Sequence, residues 1–440
     1  MKKLFLSICL VACSLALTTQ GIAQTTTNNV YWVGPNSQYA TIEAAIAAWY
    51  NTFTTKTGPN PSGGLTISLA PGFTETTTNL VVGCNVTPGT NPSSCPSADL
   101  TPITIIGYPP VTLTMTGTTG VQLFNGSSMI CAGSVSTMST FNNGTTKMPT
   151  NSCTLTSAQT SSPLSLLSNG DQDGQEFFYA EKWYINCGDA SNVSFSNGCV
   201  DVNTVYVPSA LRDIVIMHFA NSVGLHIHTN ANNASGNGTN VFECDNCWIN
   251  SSGTSPGTIN AGAQPVLIDR PAGGDSVTAI HFFGGAIENP GVTLPALKIN
   301  GNGANYQMSV ISFDGTQVQQ NPNNTVSPVS ITDAQGVSIR DMMFNGMGST
   351  TYPCVDLEQT ANYGLAAISL ENIHCGSSAP SGTSVVQNEQ TGYASPKGQW
   401  LLTRYYYAGS STVTGFGASS AFATPFIFDG AGVFTQQPTF

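Results

Sequence analysis

Charge is what this chain has least of. Only 8% of its 440 residues are Asp, Glu, Lys or Arg, and just 11 are Lys or Arg. With 23 acidic residues the formal net charge is −12. No basic stripe exists to neutralise phosphates, which excludes a nucleic-acid partner on electrostatic grounds. After the first apolar run the chain has no stretch of the ~20 apolar residues that a membrane-spanning helix needs. The mature chain is therefore expected to have no membrane span. Histidine is scarce too, at five residues, which restricts where imidazole chemistry can sit.

What replaces charge is Asn, Ser, Thr and Gly, with a leader and an even set of cysteines. Lys2 and Lys3 precede an apolar run from Leu4 to Leu17, and Gly21-Ile22-Ala23 offers a small-residue cleavage site. Leu10-Val11-Ala12-Cys13 also has the form of a lipobox, so lipidation at Cys13 is the alternative to cleavage after Ala23. The product is expected to be secreted or held at the cell surface. Losing the leader removes two lysines and takes the net charge from −12 to −14. It also removes Cys9 and Cys13 from the twelve cysteines, leaving ten. An even number in an exported chain points to disulfides, with near pairs Cys84/Cys95, Cys131/Cys153, Cys187/Cys199, Cys244/Cys247 and Cys354/Cys375. Cys244-x-x-Cys247 has no second CxxC or clustered His to complete a zinc site, so it reads as a bridge or as two buried thiols.

The strongest pattern is a repeated apolar-x-apolar pair. Val200/Val202, Leu225/Ile227, Val266/Ile268, Leu297/Ile299, Val329/Ile331 and Val355/Leu357 start 25, 41, 31, 32 and 26 residues apart. A second pair follows in most repeats, as in Phe242/Cys244, Ile311/Phe313, Val337/Ile339 and Ile368/Leu370. Period-2 apolarity on short segments, recurring at tens of residues, is the signature of stacked strands. It predicts an all-β chain folded as a single-stranded, right-handed parallel β-helix. Asp213, Asn246, Gly315, Asp341 and Asn372 close the second strands. These residue types tolerate left-handed backbone and suit a tight turn. Just before them Arg212, Asp245, Asp314, Arg340 and Glu371 mix both signs, as a salt-bridge ladder between coils would.

One helix is expected. Ile42, Ala45, Ile46 and Trp49 make an apolar stripe behind a Thr41 N-cap, running to about Tyr50. Its role would be to cover the open end of the stack. The expected organisation is a leader over 1–23, an N-terminal segment with the capping helix over 24–64, and a β-helix over 65–410. Long loops are expected at about 116–168, and a cap or tail over 411–440.

Three segments follow one another near the N-terminus: Tyr39-Ala40-Thr41-Ile42-Glu43-Ala44-Ala45-Ile46, then Leu69-Ala70-Pro71-Gly72-Phe73-Thr74-Glu75, then Ile103-Thr104-Ile105-Ile106-Gly107. Over roughly residues 30 to 110 the chain resembles the opening of the pectin-lyase-like superfamily, most of all its pectinesterase branch. The resemblance implies a capped β-helix acting on polysaccharide as a hydrolase, esterase or lyase. It does not extend to catalytic motifs. Gln172-Asp173 and Arg270-Pro271 match only fragments of the pectinesterase signatures, and the polygalacturonase signatures are missing. With a net charge of −14 after export, a polyanionic glycan would be repelled unless cations bridge it or its carboxyls are esterified.

Strand alternation selects a candidate site directly. Residues between and after each first apolar pair must point away from the core. In order these are Asp201, His226, Leu267, Lys298, Ser330 and Asp356, then Asn203, His228, Asp269, Asn300, Thr332 and Glu358. Two of the five histidines thus share one strand, with Asp201 on the coil before and Asp269 on the coil after, and Lys298 and Arg270 near. His228 and Asp269 are expected as stacked neighbours. An Asp-oriented His is a fit general base. Asp201 and Asp269, two coils apart at ~4.8 Å per coil, approach the wide carboxylate spacing of inverting hydrolases. Asp201, His226, His228 and Asp269 are also a set that a divalent cation accepts. Outward polarity is equally what any strand with one wet face shows. The expected partner is a polysaccharide, bound by a monomer; a non-catalytic surface or adhesion protein is the alternative. His218, His281 and His374 read as packed or edge residues, and Asp171 to Glu176 as an acidic loop short of calcium-loop spacing.

Overall fold

A computed structural model describes residues 29–54, 64–85, 102–117, 120–124, 126–133, 152–157, 164–167, 178–188, 198–205, 208–219, 221–229, 238–251, 262–271, 274–302, 308–321, 323–345, 352, 354–360, 368–375, 386–390, 400–407 and 413–414. The leader, Cys13, the acidic loop at Asp171 to Glu176 and nearly all of the 411–440 tail lie outside these residues.

The described strands pair in parallel, coil upon coil. Each full coil carries three strands and so contributes to three faces. Val200–Asn203 lies on face one, Ser209–Arg212 on face two and Val215–Met217 on face three. Each pairs with its equivalent in the next coil: Val223–His228, Thr239–Asp245 and Trp248–Asn250. Face one is an 11-stranded ladder; faces two and three join into one sheet where Ile368–Cys375 pairs with strands of both. The chain is a parallel β-helix.

The core follows from period-2 apolarity in register. Leu225, Val266, Leu297, Val329 and Val355 stack in one column, and Ile227, Ile268, Ile299, Ile331 and Leu357 in the next. All ten are fully buried. On face two Phe282 stacks on Phe313 at 4.6 Å. Burying an aliphatic side chain contributes roughly 1.5–3 kcal/mol, so these columns supply most of the drive to coil.

The left-handed turn column forms as its residue types require. Asp213, Asn246, Gly315, Asp341 and Asn372 have φ of 50, 52, 69, 52 and 53°. Gly284 fills the coil between Asn246 and Gly315 at 61°. The amides of Asp213, Asn246, Gly284, Gly315 and Asp341 each donate to a carbonyl of the next coil, as Asn246 N–H does to Phe283 O at 2.8 Å. Asn246 Nδ2 also donates to Asp213 Oδ1 at 2.7 Å. The charge column pairs as expected: Arg212 meets Asp245 at 3.0 Å and Arg340 meets Asp314, with exposed Phe283 between the two pairs. A second left-handed column has no sequence signature. Val241, Ala279 and Val310 have φ near 55°, and Gly336 58°, at a position where these face-two strands break their ladder pairing together and keep the same register on either side. Valine is a poor choice for that conformation; stacking in every coil overrides the preference.

Helix α1 spans Ile42–Thr54, longer by about one turn than its apolar stripe indicates. Thr41 caps it: its hydroxyl accepts the Ala44 amide at 3.1 Å. Glu75, from the second coil segment, accepts the Ile42 amide at 3.0 Å. The stripe residues Ile42, Ala45, Ile46 and Trp49 are buried in the same core as the first strands. The segment expected as loops, 116–168, instead contributes strands Val121–Leu123, Ser128–Cys131, Cys153–Ser157 and Leu164–Leu167. Its Thr and Ser outward positions hide a weak period-2 pattern. Cys131–Cys153, Cys187–Cys199 and Cys244–Cys247 are disulfides, and Cys84 and Cys354 are also disulfide-bonded.

Candidate functional site

Face one brings the selected residues together in register. Asp201 lies beside His226, and Asn203 beside His228. On the next coil Leu267 lies beside His226, and on the one after, Lys298 beside Leu267. Asp269 follows Ile268, which pairs with Ile227, so it continues the column of His228.

The carboxylates nevertheless pair on the diagonal. Asp201 Oδ1 is 2.7 Å from His228 Nε2, and Asp269 Oδ1 is 2.6 Å from His226 Nε2. The expected partnership of His228 with Asp269 is thereby replaced by a crossed one. Diagonal neighbours on adjacent strands are ~7–8 Å apart at the backbone, within reach of a ring and a carboxylate together. The two imidazoles stack, with centroids 4.1 Å apart and planes 17° from parallel. Each ring then presents one nitrogen to one carboxylate.

The two dyads differ in exposure. The side chains of His228 and Asp201 are 11% and 5% exposed, those of His226 and Asp269 13% and 27%. His228–Asp201 is sealed although it points away from the core; His226–Asp269 opens to solvent through Asp269. The sealed imidazole is further held by Thr229 O, 3.4 Å from Nδ1, and the backbone of His228 is held by the Thr239 hydroxyl, which donates to its carbonyl. Burial disfavours a charged His228. The hydrogen bond and charge of Asp201, with the charge of Asp269, outweigh that and raise its pKa above the ordinary value.

Each Nε2 faces a carboxylate, so the four groups form two pairs and do not converge on one point. Among the described residues no group of three His, Cys, Asp or Glu is arranged to hold a metal. Lys298 is half-buried and makes no ion pair among the described residues. Arg270 is buried and turns away from the dyads, its Nε donating to Asp275 O at 3.0 Å. His218 is buried, and His281 bonds Ser312 at 2.6 Å beside Phe283, both as expected of packed or edge residues. The side chain of His374 is outside the described residues.

Two groups escape a sequence reading. Thr239 belongs to face two and reaches His228 only because the chain turns there. Glu288 is an isolated acid in Ala286–Glu288, and nothing in its local pattern separates it from a solvated residue. Alternation puts it on the outer side of face three but does not single it out.

No family model matches the chain, and no curated protein matches it in sequence. Among solved structures it is similar to the A-module of mannuronan C-5 epimerase AlgE6 from Azotobacter vinelandii, with 13% identity and a TM-score of 0.45 over 90% of this chain and 95% of that one.

Proposed function

We propose that this is a secreted polysaccharide-active protein, working on an extended glycan laid along face one, with His226–Asp269 as its acid–base pair. The observation that carries the reading is the pair of crossed His–Asp dyads, one open and one sealed. A carboxylate that orients an imidazole is the arrangement general acid–base catalysis uses. His226 is the group that exchanges a proton with substrate. Asp269 orients it, and the sealed His228–Asp201 dyad holds the ring from beneath by stacking. Lys298, one coil beyond Asp269, is the cation in this reading that meets negative charge developing on substrate. A two-carboxylate inverting mechanism suits the site less well, because Asp201 is buried and bonded to His228, whereas that mechanism needs a carboxylate that activates a water. Proton transfer centred on histidine, as in an esterase, lyase or histidine-assisted hydrolase, fits better.

A second reading is a non-catalytic surface or adhesion protein that binds glycan or protein. It is favoured by the fact that both dyads tie neighbouring coils together, which a structural ladder also does. Turnover on a panel of plant and bacterial glycans separates the two. His226→Ala and Asp269→Asn are each expected to lose ~10²–10⁴-fold in rate, the usual worth of general acid–base catalysis. A wild-type protein with no turnover on the panel leaves the binding reading standing. Activity that survives in the double variant removes this site from the chemistry.

A further inference from the structure

Face three carries a cluster that the face-one chemistry does not use. Trp248 and Asn250 lie on one coil, with Ala286 and Glu288 beside them on the next. The ladder continues to Gln317 and Gln319, then to Met343 and Asn345. Ile249, Ile287 and Val318 between them belong to the core, so these flanking side chains point outward. Asn250 Nδ2 donates to Glu288 Oε2 at 2.8 Å, and Asn289 Nδ2 donates to Asn250 Oδ1 at 2.8 Å. A relay of amides thus fixes the carboxyl. Burial raises the pKa of Glu288, against a hydrogen bond from Trp248 that lowers it. The indole is half-buried and packs against Tyr184, Val215 and Met217. An aromatic ring and a carboxyl are therefore both held in place, side by side, on an outer surface.

Two parallel columns result. Trp248 and exposed Met343 stand in the first, Asn250, Glu288 and Gln319 in the second. Coils advance by ~4.8 Å, close to the length of one sugar unit in an extended glycan. An aromatic face takes the C–H side of a pyranose, and amides and carboxyls bond its hydroxyls in pairs. None of these side chains is cationic, so a uronate would bring its carboxylate against Glu288 with nothing to offset the repulsion.

We propose that face three binds a neutral, hydroxyl-rich, extended glycan, with one sugar seated on Trp248 and bonded by Glu288, which the buried Asn250 holds in place, and the next met by Gln317 and Gln319. This site needs none of the face-one residues, and either can fail alone.

Affinity electrophoresis of the full chain tests it, in gels containing hydroxyethyl cellulose or, at equal mass, polygalacturonate. Retardation is expected in the neutral gel only. Trp248→Ala should weaken it at least tenfold, and the isosteric Glu288→Gln several-fold. His226→Ala should keep the retardation while lowering any turnover ~10²–10⁴-fold, which distinguishes the two sites. Circular dichroism checks the fold; if Trp248→Ala does not fold, Glu288→Gln and Trp248→Phe decide. A mobility that hydroxyethyl cellulose does not change, stronger retention by polygalacturonate, or wild-type retention in Glu288→Gln and Trp248→Phe together would overturn the proposal. The last result would reduce the Asn250–Glu288 bond to a structural tie between coils.

Discussion

At the scale of single residues, Glu75 and His228 link the fold to pH in the same direction. Glu75 is 8% exposed beneath the helix it caps. Burial pushes its carboxyl up to about 7; the Ile42 amide opposes this and the charge of Glu43 adds to it. Between its ordinary 4.5 and that value the folded state binds the extra proton, so stability falls as pH rises through this window. The full span is on the order of 3 kcal/mol. His228 has a raised pKa as well, so its contribution is complete below the ordinary 6.5 and is lost as pH climbs through the higher folded value. Thermal melts from pH 4.5 to 9 should therefore show a declining midpoint. Glu75→Gln keeps an acceptor for the Ile42 amide and should flatten the acidic part of that slope. Asp201→Asn should flatten the alkaline part. A melting profile in either variant that parallels wild type would contradict the assignment. The diagonal pairing of the dyads belongs to this scale, and alternation could not supply it. Alternation places Asp201, His226, His228 and Asp269 on one surface, but which oxygen meets which nitrogen depends on ring tilt.

At the scale of elements, the turn between faces two and three shows which constraint each position bears. Gly284 and Gly285 are adjacent, with φ of 61 and 72°. A Cβ at Gly284 would meet nothing within 4 Å, whereas one at Gly285 would lie 2.1 Å from the Cys247 carbonyl oxygen. Gly284→Ala should thus cost only the left-handed strain, about 1–2 kcal/mol. Gly285→Ala should cost clearly more, because backbone must move. Urea unfolding of the two variants checks the order, and equal costs would refute it. The turn column was legible because Asn, Asp and Gly are chosen for that conformation. The second left-handed column of Val241, Ala279 and Val310 was not legible, because its geometry is imposed by neighbouring coils. The strands at Val121–Leu123 and Cys153–Ser157 were missed for a related reason. Three to five residues with Ser, Thr or Cys at key positions carry too little contrast to stand out until they stack.

At the scale of the whole molecule, the chain is a stack whose coils mostly contact their neighbours. Leu297 and Val329 are register partners, so residues 297–328 form one complete coil. Deleting 297–328 joins equivalent positions and should leave a shorter, folded β-helix by circular dichroism and gel filtration. Deleting only 297–312 would remove the face-one strand of that coil and leave only Phe313 and Asp314 of its face-two strand, and should abolish folding. If both deletions fold equally well, coil registry is not what organises the core.

Composition and period-2 spacing were enough to determine the coil, its inward columns, its left-handed corners and the surface on which the histidines stand. Each of these depends on the two-residue alternation within a strand or on the residue type that ends it, and the backbone geometry of a strand is the same in every coil. The tertiary structure alone decided that one dyad is sealed and the other open, that a face-two threonine locks a face-one histidine, and that Trp248, Asn250 and Glu288 form a group. Those outcomes depend on contacts between residues tens of positions apart and on what covers them, and no local pattern carries that information.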